Sequence, residues 1–194
     1  MSPTTPSGAS PDGDVEVLSV APIYRGHPIE RLELHEVRLP NGVVRRLEVI
    51  RHPGAAAVVA VHGNGDVVLL RQLRYAAARS YLLEIPAGKL APGEAPETCA
   101  RRELEEEAGL RARSLEPLAA VWMTPGFCDE RIHLFLARDL EEGKAAPEED
   151  EVFRCLRVPF AEALAMIDRG EIADAKTICG LAAAARRLGR LTPS

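Results

Sequence analysis

From Val15 to about Pro53 apolar and polar residues alternate in short runs, "RLELHEVRL" from Arg31 and "VVRRLEVI" from Val43. A period of two predicts strands with one covered face. Pro40-Asn41-Gly42 stands between the two runs, and Asn-Gly tolerates the positive φ of a tight hairpin turn. The pattern then becomes continuously apolar in "AAAVVAVHGNGDVVLLRQLRY", residues 55–75. This predicts a second hairpin, turning at Gly63-Asn64-Gly65-Asp66, whose strands lie in the core. A helical period follows from about Ala95 to Ala108, then strands near Ala119–Met123 and Ile132–Ala137 and helices near Phe160–Arg169 and Ala173–Leu188. The order of elements predicts an α/β fold, a mixed sheet flanked by helices and preceded by a small N-terminal antiparallel sheet.

The first 14 residues, "MSPTTPSGASPDGD", offer almost no large apolar side chain to bury and read as a disordered tail. The expected organisation is a tail over 1–14, an N-terminal sheet domain over 15–53 and the main domain over 54–194. A chain of 194 residues suits this arrangement. The net charge of −5 argues against broad affinity for nucleic acid or an anionic membrane. No apolar run is long enough to span a bilayer, and Cys99, Cys128, Cys155 and Cys179 have no zinc-ligand spacing. The expectation is a soluble cytoplasmic protein with no nucleic-acid or membrane partner. His27, His35, His52, His62 and His133 form no close sequence cluster, and each reads as a surface or packing residue. Trp122 and Met123 read as core.

One segment changes the picture. In "AGKLAPGEAPETCARRELEEEAGL", residues 87–110, Glu103, Glu105, Glu106 and Glu107 are nearly consecutive. On a helix Glu103, Glu106 and Glu107 share a face while Glu105 points elsewhere. A solvated acidic face is the ordinary explanation of a charge run. Like charges at this spacing repel, however, and a hard divalent cation with oxygen ligands would compensate them. Gly109 sits where a helix ends in a left-handed cap, Gly88 in a loop where backbone can approach a ligand, and Arg102 can pair with Glu106 or Glu94.

The spacing of Gly88, Glu94, Arg102-Glu103-Leu104, Glu106-Glu107 and Gly109-Leu110 matches the Nudix box at each fixed position. The chain thus resembles the Nudix hydrolases, which cleave nucleoside diphosphates linked to another moiety and use magnesium or manganese. The resemblance implies an α/β/α sandwich. It also implies Glu103 and Glu107 as principal metal ligands, Glu106 and the Ala87 carbonyl as further candidates, and Glu94 and Arg102 as supports. Such carboxylates could hold Mg²⁺, or Mn²⁺, against a pyrophosphate.

Pro125 stands 16 residues after Gly109, where ADP-ribose pyrophosphatases of this superfamily place a proline. The stretches "RHPGAAAVV", "LLRQLRY", "LLEIPAGKL", "TPGFCDE" and "GEIADAKT" resemble that subfamily in order. By this resemblance Arg74 contacts the pyrophosphate, Glu130 accepts a hydroxyl of the terminal ribose and Met123 borders the adenine pocket. Arg45, Arg46 or Arg51 reaches the adenosine across a homodimer interface formed by the N-terminal sheet. In the acidic loop "APEEDEVF", residues 146–153, Glu149 aligns with the catalytic base and Glu151 lies near the metals, with Glu148 or Asp150 the alternatives under a shifted loop. The expected activity is hydrolysis of the nucleotide sugar ADP-ribose to AMP and ribose 5-phosphate. The alternatives are another nucleoside diphosphate sugar such as GDP-mannose, or a sensor that binds ADP-ribose without cleaving it.

Overall fold

The computed structural model describes residues 13–26, 29–77, 80–146 and 152–189. Most of the expected tail, His27, and the acidic-loop residues Glu148, Glu149, Asp150 and Glu151 lie outside the described residues. The chain divides into two compact units, one running up to His52 and including Thr124–Glu130, the other formed by Pro53–Met123 and the chain from Arg131.

In the first unit, strands β1 (Glu16–Tyr24), β2 (Arg31–Arg38) and β3 (Val44–Arg51) form an antiparallel sheet in that order. The β2–β3 hairpin turns where the Asn-Gly pair predicts, though of the two only Gly42 takes positive φ, 82°, while Asn41 Oδ1 accepts from Val43 N at 3.1 Å. Strand β2 buries every second residue, Glu33, His35 and Val37. The Glu33 carboxylate lies 2.9 Å from His35 Nε2 and accepts from Arg51 Nε at 2.8 Å, so two of these buried positions are polar but paired.

The second unit holds the core. Strands β4 (Ala55–Ala60), β7 (Ala87–Lys89), β8 (Leu110–Trp122) and β9 (Arg131–Glu142) form a sheet in the order β7-β4-β9-β8. Its β4–β9 pairing is parallel and its other pairings are antiparallel. Strands β5 (Asp66–Arg74), β6 (Ser80–Glu84) and β10 (Phe153–Pro159) form a second antiparallel sheet in the order β10-β5-β6. Helices α1 (Pro96–Ala108), α2 (Phe160–Asp168) and α3 (Ala175–Arg187) complete the unit. Alternation along β4 separates two layers. Ala55, Ala57 and Val59 pack with Phe160, Ile172 and Leu181 from the α2–α3 side, whereas Ala56, Val58 and Ala60 pack with Cys99, Ala100 and Leu104 of α1. This is the expected α/β/α sandwich.

Four expectations need correction. β4 and β5 are joined at the expected turn but make no hairpin ladder; beyond one bridge between Val61 and Val67 they enter different sheets. β4 throughout and β5 over residues 67–70 are buried on two faces, so these runs carry no alternation to identify their neighbours. β8 begins directly after Gly109 and continues through Pro117, with a register shift between Pro117 and Ala119; a proline inside a strand hides it from pattern reading. β9 likewise extends to Glu142. Trp122 is 56% exposed rather than core, with the Arg131 guanidinium 5.6 Å from its ring, while Met123 is half-buried against the α2–α3 side of the core.

Candidate active site

Helix α1 opens with Pro96 at its first turn, where the missing N–H costs no helical bond. It ends at Gly109, whose φ of 64° lets its N–H cap the Glu105 carbonyl at 2.9 Å. Between these ends the helix presents Glu103 and Glu107 on its buried side, 8% and 3% exposed, and Glu106 at the margin. Glu105 points away from that face, as the helical spacing predicts, and is partly exposed and paired with Arg111 at 2.6 Å.

The buried carboxylates lie against β7. Glu107 Oε2 accepts from Ala87 N at 2.8 Å. The Glu103 carboxylate sits where a side chain on residue 88 would be: a Cβ there would meet Glu103 Oε1 at 1.9 Å. Gly88 is therefore in a strand paired with Ala56, not in a loop, and its lack of a side chain makes room for a protein carboxylate.

Arg102 joins these groups. It takes both partners the spacing offers, Glu94 at 3.0 Å through Nε and Glu106 at 2.9 Å through Nη1, and also Glu103 at 2.6 Å. Its Nη2 donates to the Lys89 carbonyl at 3.1 Å, tying helix to strand. The hydrogen bonds from Arg102, reinforced by the Ala91 amide, lower the pKa of Glu94 to about 2. The Glu94 contact also raises the pKa of Arg102, against the effect of burial. Cys99 packs below; burial and then the Glu103 charge push its thiol up to about 12, the behaviour of a packing cysteine rather than a nucleophile.

Arg74, at the end of β5, donates from Nε and Nη2 to the two oxygens of Glu84 at 2.8 and 2.7 Å. Those hydrogen bonds raise its pKa against burial, and the charges of Glu84, Glu107 and Asp174 add to the effect. In the first unit, Arg45 and Arg46 are exposed on β3, with Arg46 donating to Glu36 at 3.2 Å. Arg51 is engaged by Glu33 and by Asp129 at 2.8 Å, and Glu130 lies 3.7 Å from His52. Pro125 occupies the turn that the Thr-Pro-Gly sequence predicts, with Phe127 N bonded to the Thr124 carbonyl.

Sequence reasoning missed Glu84, Asp174, Lys176 and Thr177. Glu84 is buried between cations, Lys176 Nζ approaching it at 2.5 Å. Asp174 caps α3 by accepting from Thr177 N at 2.9 Å, and Thr177 Oγ1 accepts from Ile85 N at 2.9 Å. A glutamate inside the apolar run "LLEIP" was the available signal, since a buried charge requires a partner.

Among the described residues no three His, Cys, Asp or Glu side chains are gathered as a metal site. The arrangement of Arg102 accounts for this, because it draws Glu103 and Glu106 to itself. The donors nevertheless fit a hard divalent cation. They are carboxylate oxygens on one helix face, two of them withdrawn from water and set against the backbone of Ala87 and Gly88, where no side chain intervenes.

The chain resembles known proteins in sequence and one solved structure in fold. The chain is 43% identical to the ADP-ribose pyrophosphatase of Bacillus subtilis (strain 168), over 80% of this chain and 84% of that one. It is 39% identical to the methanol dehydrogenase activator of Bacillus methanolicus, over 84% and 88%. It is 36% identical to the GDP-mannose pyrophosphatase of Pectobacterium atrosepticum, over 73% and 78%. The crystal structure of an ADP compounds hydrolase superposes with a TM-score of 0.79 at 25% identity, covering 92% of this chain and 98% of that one. The NUDIX domain model matches residues 51–181, and with the box-bearing helix folded as described the chain belongs to the NUDIX domain family.

Proposed function

We propose that the protein is a divalent-metal-dependent diphosphatase that hydrolyses ADP-ribose to AMP and ribose 5-phosphate. The observation that carries this reading is the burial of Glu103 and Glu107 one helical turn apart against the side-chain-free edge at Gly88. Burying two carboxylates on one face is costly, and a divalent cation would add to the compensation that Arg102 gives Glu103 and the Ala87 amide gives Glu107. The relative named ADP-ribose pyrophosphatase, at 43% identity, supports the choice of substrate.

Glu103 and Glu107 would hold Mg²⁺ or Mn²⁺, with Glu106 and the Ala87 carbonyl as further ligands. When bound, the metal supplies charge neutralisation at the phosphates and a more acidic water. Arg74 offers a planar guanidinium fork that can meet a pair of pyrophosphate oxygens. Arg102 competes for Glu103 and Glu106 and keeps the cluster in place, while its fork to Glu94 holds the preceding loop. Glu149 is proposed as the base that takes a proton from the attacking water, with Glu151 beside the metals.

The N-terminal sheet is proposed as a homodimer surface. Strand β1 is exposed along its length, and Val17, Val20 and Ile23 offer apolar area that a second copy would cover. By this reading Arg45, Arg46 or Arg51 contributes to the adenosine site, with Glu130 and Met123 as further substrate contacts.

A relative named GDP-mannose pyrophosphatase, at 36% identity, favours a second reading in which the same apparatus cleaves that nucleotide sugar. The test is kcat/KM with Mg²⁺ across ADP-ribose, GDP-mannose, NADH, diadenosine polyphosphates and nucleoside triphosphates. A preference for ADP-ribose with AMP as product supports the first reading, and a preference for GDP-mannose replaces it. Binding of ADP-ribose without turnover would identify a sensor.

A further inference from the structure

A buried chain of charge lies behind Arg74. By register Arg74 is opposite Ser80 and Glu84 opposite Leu70, so Arg74 and Glu84 are on the same face of the β5–β6 pair but displaced along it. The arginine side chain must therefore lean back along the sheet to reach the carboxylate, which it meets with a two-point fork at 2.8 and 2.7 Å. Glu84 is 1% exposed and cannot be solvated from outside. Its second cation comes from α3: Lys176 Nζ lies 2.5 Å from Glu84 Oε2 and 3.1 Å from Asp174 Oδ2. Asp174 is itself fixed as the cap of α3 through Thr177 N, and Thr177 Oγ1 holds Ile85, the residue after Glu84. The carboxylate is thus anchored on both sides before any ligand arrives.

A guanidinium has five N–H donors in a rigid plane. Glu84 takes two of them on the buried edge, and the other three have no hydrogen-bond partner among the described residues. The Arg74 side chain is 41% exposed while that of Glu84 is 2% exposed, so a guanidinium clamped through Nε and Nη2 belongs to a side chain that solvent still reaches. A clamped fork loses less freedom on meeting a planar pair of phosphate oxygens than a freely swinging one does.

We propose that Glu84, braced from α3 by Lys176, is the positioning residue that aims Arg74 at the pyrophosphate of the substrate. This rests on the assignment of Arg74 to the pyrophosphate given above. It makes the first turn of α3 part of the substrate-binding apparatus, although Lys176 and Asp174 touch no substrate in this scheme.

The test is steady-state hydrolysis of ADP-ribose with Mg²⁺ by the full chain and by Arg74→Ala, Glu84→Gln, Glu84→Asp and the Arg74→Ala/Glu84→Gln double variant, with thermal melting as the check on folding. Loss of a charge-assisted fork predicts that Arg74→Ala and Glu84→Gln each lower kcat/KM by about 10- to 100-fold. Both should do so with the same division between kcat and KM, and Glu84→Asp, which keeps the carboxylate, should recover part of the loss. The double variant should fall no more than about threefold below Arg74→Ala, because the two residues act as one unit.

Full kcat/KM in a folded Glu84→Gln, or losses that multiply in the double variant, would overturn the proposal and leave Glu84 as a fold-stabilising ion pair. Should Glu84→Gln fail to fold, Lys176→Met carries the test. A loss of about 3- to 10-fold that appears with Arg74 and disappears in Arg74→Ala supports it, and an equal loss in both backgrounds overturns it. If Arg74→Ala is as active as the parent while Glu107→Gln is inactive, the assignment of Arg74 itself falls and takes the positioning role with it.

Discussion

Arg102 Nε donates to Glu94 Oε1 at 3.0 Å and its Nη2 to Glu94 Oε2 at 3.1 Å, so the loop before α1 is fastened to the middle of the helix at two points. The folded-state pKa of Glu94 is about 2 against an ordinary 4.5. A depressed carboxyl contributes stability above its unfolded pKa and loses it as pH falls through the folded one. Glu94→Gln should therefore lower stability at pH 7 by about 1 kcal/mol, the exposure of Arg102 limiting the figure. The difference from the parent should shrink as pH falls from 4.5 toward 2. Urea denaturation of both proteins at pH 7, 5 and 3 measures it, and a gap that widens with acid would refute the assignment.

Glu107→Gln separates ligand charge from fold. The Ala87 amide donates to Glu107 Oε2 at 2.8 Å, and a glutamine oxygen can accept the same bond. Melting temperature should stay within a few degrees while metal-dependent turnover falls by at least about 100-fold, because the negative ligand is gone. Isothermal titration with Mn²⁺ should show weakened binding in parallel; unchanged turnover would refute the metal assignment.

At Gly88 stability and activity should part company. A Cβ would approach Glu103 Oε1 to 1.9 Å, and the obstacle is the far end of a flexible side chain rather than backbone. In Gly88→Ala the carboxylate can swing aside, so the stability cost should remain below about 2 kcal/mol. Glu103 can do so only by leaving its position, and kcat/KM should fall by at least about tenfold. Kinetics beside chemical denaturation checks both, and a stable, fully active variant would mean that Glu103 is not needed where it lies.

Asp129 is the tie in the first unit. Its carboxylate accepts from Arg51 Nη1 at 2.8 Å and from His52 N at 2.7 Å. Asp129→Ala should cost about 1–2 kcal/mol and speed amide hydrogen exchange at His52, while Arg51 keeps its bond to Glu33. Exchange read by NMR tests this, and unchanged protection at His52 would show that the bond does not hold the strand end.

The parts legible in the sequence are those set by short spacing. The shared face of Glu103, Glu106 and Glu107, the pairing of Arg102 with Glu106 and the left-handed Gly109 follow from helical geometry over a few residues, and Glu94 was within reach of Arg102 across a short loop. The Arg74–Glu84–Lys176 chain was not legible in that way. Its last contact spans 92 residues, and a lysine near a helix start looks the same whether solvated or buried. The place of Gly88 was misread for a related reason: proximity of β7 to β4 is set by the sheet, not by the Pro and Gly around it. The first half of strand β5 shows the same limit, since the apolar run over residues 67–70 states that it is buried and not which sheet receives it.

The connection Thr124–Glu130 groups with residues that precede Pro53 although it joins β8 to β9. Ile50 N donates to the Phe127 carbonyl at 2.8 Å, and Asp129 N returns a bond to the Ile50 carbonyl at 3.1 Å. A gene cut at residue 53 would therefore yield no clean module: the fragment would carry a connection whose backbone partners were left on the other piece. In a lineage that exchanges its N-terminal sheet by recombination, Arg51 and Asp129 would come from different parents, and their ion pair would survive only where both parents carry it. A chimera of parents that differ there would inherit two halves of a mismatched lock.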